Sequence, residues 1–132
     1  MRPPDWPEQL AEVVRRWRKR PFIWGQSDCV HFACDVLTAV SGRNWDGLDL
    51  GQYNTRAAAR AELQRLGFPD LTAAVTALLG TAQTTPQRGD LVAVSTPRGP
   101  ALGVCLGACL AAMGPKGLVF LPLSRTVSCW RV

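Results

Sequence analysis

The chain has 132 residues and a mass of 14.3 kDa, the size of one ordinary domain. Hydrophobic residues make up 47% and charged residues 19%, and no period runs through the chain; disorder, collagen, coiled coil and repeat arrays are excluded. The formal net charge is +5, carried by 15 basic residues of which only Lys19 and Lys116 are lysines. Such an arginine bias suits bidentate contacts with carboxylates, phosphates or partner proteins, and also fits a GC-rich coding sequence.

The segment Asp5-Trp6-Pro7-Glu8 reads as a helix start, with Asp5 as cap and Glu8 three residues on. Leu10, Val13, Val14 and Trp17 follow as one apolar stripe. Arg15, Arg16, Arg18, Lys19 and Arg20 crowd the last turn, where cations complement the helix dipole, and Pro21 ends the helix. No aromatic is interleaved for base stacking, so nucleic acid is not expected as a partner.

Ser27 and Asp28 offer an N-cap to a second helix over residues 29–40, stopped at Gly42. Val30, Phe32, Ala33, Val36, Leu37 and Val40 make it apolar nearly all round, the pattern of a buried central helix. A loop rich in Gly, Asp and Asn covers 41–54. Helices are predicted over 55–66 and 71–79, ended by Gly67 and Gly80, with Asp70 capping the latter. From Asp90 the pattern changes to short apolar runs at 91–95, 101–106, 109–113, 118–121 and 126–132, separated by Gly, Pro and Ser. Helices followed by strands give a single α+β domain over 1–132. Its buried central helix packs on a C-terminal antiparallel sheet or small barrel.

No secretory signal is visible, and the longest apolar run, 101–114, is glycine-broken and shorter than the roughly 18–20 residues of a bilayer span. The chain is thus expected to be made in the cytoplasm with no membrane span. Cys29, Cys34, Cys105, Cys109 and Cys129 make an odd count, against a full disulfide framework. The gaps in Cys29–Cys34 and Cys105–Cys109 are not the paired knuckles of a zinc ribbon. Neither a metal nor a cofactor is expected.

The chemistry concentrates in Pro21-Phe-Ile-Trp-Gly-Gln-Ser-Asp-Cys-Val-His-Phe32. Cys29 falls in the first turn of the buried helix, where unpaired amides and the positive dipole end favour a thiolate. A thiol lowered from about 8.5 toward neutrality is a usable nucleophile. Trp24 and Gly25 would wall a pocket, and Asp28 is most simply the helix cap. Asp35 reads as a surface or ion-pair residue. His31, the only histidine, lies two residues beyond Cys29 and about 200° around the axis. A base must come within about 3–4 Å of the sulfur, so His31 reads better as a structural histidine than as the partner of Cys29.

Trp24-Gly25, Asp28-Cys29 and Phe32 resemble the nucleophile motif of NlpC-type cell-wall peptidases, a papain-like family. Arg88-Gly89-Asp90-Leu91-Val92 resembles their first strand, and Leu102-Gly103-Val104-Cys105-Leu106-Gly107 the strand that follows. The whole chain resembles a small prophage and phage family found among tail-tip genes. The Asp5-Trp6-Pro7 start, the Pro-Phe-x-Trp-Gly segment, the strand from Gly99 to Gly107 and the Trp130-Arg131-Val132 end carry that likeness.

The resemblance implies a papain-like fold with Cys29 in the nucleophile's place. It also locates a departure: Ala101 stands where the catalytic histidine belongs, and the orienting residue would fall among the apolar 111–113. Loss of a general base costs about 10²–10⁴-fold in rate. The expectation is therefore a tail-tip or baseplate structural protein on a degenerate peptidase fold, carried in the virion among other tail proteins. The alternative is an active peptidase or amidase that cleaves peptidoglycan stem peptides through Cys29.

Overall fold

The structure, a computed structural model, describes residues 2–45, 53–97 and 99–132. Among these residues four α-helices precede five strands: α1 (Trp6–Trp17), α2 (Cys29–Ser41), α3 (Arg56–Arg65), α4 (Leu71–Leu79), β1 (Leu91–Thr96), β2 (Gly99–Cys105), β3 (Leu110–Gly114), β4 (Gly117–Leu121) and β5 (Thr126–Trp130). The α+β class and the order of elements follow the sequence pattern. None of the described helices is long and apolar enough to cross a membrane.

Helix α1 buries Leu10, Val13 and Trp17 from its stripe. Asp5 occupies the N-cap position, but its side chain caps nothing and takes a hydrogen bond from Gln9 Nε2 at 3.1 Å instead. Its backbone (φ −94°, ψ 15°) is not the extended one that aims a side-chain oxygen at the N2 or N3 amide. Asp28 and Asp70 do have extended backbones, and each accepts from the amide three residues on. Gly42 closes α2 in the left-handed conformation at φ 74°, its N–H bonded to the Thr38 carbonyl.

Helix α2 is the centre of the molecule. Phe32, Val36 and Val40 are wholly buried between α1 and the sheet, and Phe32 meets Trp17 edge-on with ring centroids 5.4 Å apart. Trp17 Nε1 donates to Asp35 Oδ2 at 2.7 Å, and Arg16 lies 3.7 Å from the same oxygen. Asp35 therefore ties α1 to α2 and satisfies the polar atom of a buried indole.

The sheet runs in the order β4-β3-β2-β1-β5, antiparallel throughout. It is not a barrel. Closure would need β4 to pair with β5, whereas a 3₁₀ turn at Leu123–Arg125 carries the chain to the far edge, where β5 pairs with β1. A register shift between Ala93 and Val94 bends β1 there. Leu91, Ala93, Leu102 and Val104 join the main core with the helices. Val92, Val94, Cys105, Leu110, Ala112 and Cys129 form a second buried cluster, as period-two alternation requires.

Asp90, at the entrance to β1, is wholly buried. Its Oδ2 accepts from the Gln87 amide at 2.8 Å and from Arg131, and Arg2 Nη2 stands 3.8 Å from Oδ1. Arg2 Nε also donates to the Val132 carbonyl at 2.9 Å, so the cluster joins the two ends of the chain beside β1.

Candidate functional site

The segment before α2 is built around one carboxylate. Gly25 turns the chain at φ 80°, and a Cβ there would fall 2.0 Å from the Tyr53 carbonyl oxygen; only glycine fits. Its amide donates to Asp28 Oδ2 at 2.9 Å. The His31 amide donates to Asp28 Oδ1 at 3.0 Å, the His31 ring Nδ1 lies 2.7 Å from the same oxygen, and the Tyr53 hydroxyl donates as well. Burial opposes ionisation of Asp28, but these hydrogen bonds overcome it and hold the carboxyl at about 2. The bond to Asp28, working against partial burial, raises the His31 imidazole above its ordinary 6.5. Burial, together with its bond to the Asp28 carboxylate, pushes the Tyr53 phenol far up.

Cys29 lies next to this cap and behaves in the opposite way. Burial pushes its thiol up to about 11. The backbone amides of Leu102, Cys29 and Val30 favour the thiolate, and the Asp28 charge disfavours it. A lowered thiol, as expected from its helix position, is thus overturned: loss of water and a neighbouring anion outweigh the helix end. The Leu102 amide brings the start of β2 against the helix, so Ala101 stands one residue from the contact with Cys29. Ala111, Ala112 and Met113 are buried in β3.

A pocket of about 150 Å³ opens beside Cys29. Trp24 and Tyr53 form its aromatic wall, with centroids 6.5 Å apart. Val30, Leu63 and Leu71 add apolar surface, and α3 contributes Arg56 and Arg60. His31 is not among the lining residues. The pocket's carboxylates, Glu62 and Asp70, are held by Arg65 at 2.8 Å and by the Ala73 amide at 2.8 Å. Among the described residues, then, nothing that lines the pocket is placed as a base for the thiol.

One finding assigns kinship. The chain belongs to the DUF6950 family. That family is described as a domain of unknown function, and its model matches residues 1–132. Neither a curated protein nor a solved structure matches the chain.

Of the residues singled out from sequence, Trp24, Gly25, Asp28, Cys29 and His31 share one helix entrance in this DUF6950 chain, and Ala101 lies across from it. Trp24 and Cys29 face the pocket; His31 faces the cap. Tyr53 and the Leu102 amide were not foreseen. Tyr53 sits in a Gly-, Asp- and Asn-rich loop with no periodicity, so its aromatic character, shared there with Trp45, was a weak signal. A backbone amide leaves no trace in residue type at all. None of the five cysteines is in a disulfide, and Cys105 and Cys129 are buried in the second cluster.

Proposed function

We propose that this protein is a structural component of a phage tail tip or baseplate, built on a degenerate NlpC-type cysteine-peptidase fold that no longer catalyses. The order of motifs supports the peptidase ancestry: Trp24-Gly25 and Asp28-Cys29 at a buried helix, Arg88-Gly89-Asp90-Leu91 at a first strand, Leu102-Gly103-Val104 at a second. The tail-tip assignment draws on the likeness of the whole chain to phage tail-tip proteins. On this reading the protein is assembled in the host cytoplasm and carried in the virion, in contact with neighbouring tail proteins.

The observation that carries the loss of catalysis is the state of the two reacting groups. The Cys29 thiol is buried and raised to about 11, and the only histidine faces Asp28 and does not line the pocket beside that thiol. A cysteine enzyme needs a thiolate or a base to make one. Two measurements test the proposal: release of peptides from purified peptidoglycan, and mass spectrometry of purified particles of a phage encoding this chain. No release, with the protein present in the particles, is the expected pair of results. The protein's absence from particles overturns the structural role. Hydrolysis that disappears in Cys29→Ser overturns the loss of catalysis and selects the active peptidase or amidase instead, a reading that the Leu102 and Val30 amides around the sulfur favour.

A further inference from the structure

We propose that the pocket beside Cys29 is a binding site for a small carboxylate with an apolar body, gripped by Arg60 with Arg56 beside it. This stands apart from the reading of the chain as a tail protein and holds whether or not the thiol reacts. The two arginines are one turn apart on α3 and both line the pocket. Arg56 extends toward β2: its Nη2 comes within 3.7 Å of where a Cβ on Gly99 would sit. Arg60 has no salt-bridge partner among the described residues, since the nearby Glu62 is engaged by Arg65.

Helix α3 buries none of its residues, so its arginines belong to no core. Yet Leu63 on the same helix and Leu66 at its C-cap line the pocket, and Leu66 is 39% exposed. An apolar helix face that meets an aromatic wall, with guanidiniums at one end, suits an amphipathic guest. Guanidinium forks match a carboxylate bidentately. Glu62 and Asp70 also line the pocket, and they disfavour a dianion such as phosphate more than a single charge. At about 150 Å³ the space is below the roughly 300–1,000 Å³ of drug-sized sites, so the guest is about the size of one capped amino acid.

The test is calorimetric titration of the full chain with N-acetyl-L-leucine and with its neutral amide, N-acetyl-L-leucinamide. Amide chemical shifts of Cys29, Val30 and Ala59 locate the binding. The acid is expected to bind at least about 10-fold more tightly than the amide and to shift those three signals. Arg60→Gln is expected to weaken the acid about 10-fold and leave the amide unchanged. Arg60→Lys, which keeps charge and helix propensity, recovers only part of the loss because it lacks the fork. Arg15→Gln, exposed on α1 and paired with Glu12, changes neither. The proposal is overturned by equal binding of acid and amide, or by shifts elsewhere. It is also overturned by an Arg15→Gln effect equal to that of Arg60→Gln, by inorganic phosphate binding as tightly as the acid, or by no binding up to about 10 mM.

Discussion

Asp28 and Asp90 are both wholly buried, and each stands at the entrance to a secondary-structure element. Their partners differ. Asp28 is surrounded by donors from its own neighbourhood: the Gly25 and His31 amides and the His31 ring, with the Tyr53 hydroxyl the one contribution from further along the chain. Asp90 takes one local amide, from Gln87, and otherwise depends on Arg131 and Arg2 from the two ends of the sequence; its Oδ1 accepts no hydrogen bond. The first arrangement is largely local to the start of α2, whereas the second brings residues from both ends of the sequence to the start of β1. The difference bears on function. At Asp28 the only imidazole of the chain is turned to the carboxylate through Nδ1 and does not line the pocket, so among the described lining residues none is placed as a base for the thiol one residue on.

Asp28→Ala gives the largest expected effect, a loss of about 3 kcal/mol in urea unfolding, because it removes the cap and strands buried donors. Asp28→Asn keeps an acceptor at the cap and should lose about half as much. Arg131→Leu should cost about 2 kcal/mol, leaving the buried Asp90 carboxylate with the Gln87 amide and a distant Arg2; half-exposure of the arginine limits the figure. A larger loss for Arg131→Leu than for Asp28→Ala would break the contrast between the two carboxylates.

The pH dependence sharpens it. Asp28 ionises below its ordinary 3.8, so its contribution is complete above 3.8 and is lost as pH falls through about 2. His31 is shifted the other way. Its contribution is complete below 6.5 and is lost as pH rises through the higher folded value. Unfolding free energy measured from pH 5 to 8, below the range in which the raised Cys29, Cys105 and Cys129 thiols add their own decline, should fall on the alkaline side in the parent chain and lose that fall in His31→Gln. This is the smallest of the effects, because the ring is 42% exposed and solvent screens the pair.

Much of the fold was legible in the sequence because its signals are local. Asp28, Asp70, Gly42 and Gly80 bound helices where cap chemistry places them, and the strand half declares itself by short apolar runs. What was not legible depends on contacts far along the chain. That β5 returns to β1 rather than closing on β4 is set by packing, and the apolar runs alone fit either sheet or barrel. The entrance to α2 was recognisable as a cluster of reactive residue types, but the state of the thiol was not. A cysteine at a helix N-terminus reads as activated, and only its burial where α2 meets the β2 backbone, beside the Asp28 charge, reverses the effect.

The central claim is that Cys29 is a buried thiol with no base among the described residues that line its pocket, and alkylation by iodoacetamide tests it most directly, followed across pH by peptide mass at Cys29. The expected result is slow modification of the folded protein at neutral pH, with a midpoint near 11 and fast reaction after unfolding in urea. Rapid modification of the folded protein with a midpoint below about 8.5 would contradict it and return Cys29 to the role of nucleophile.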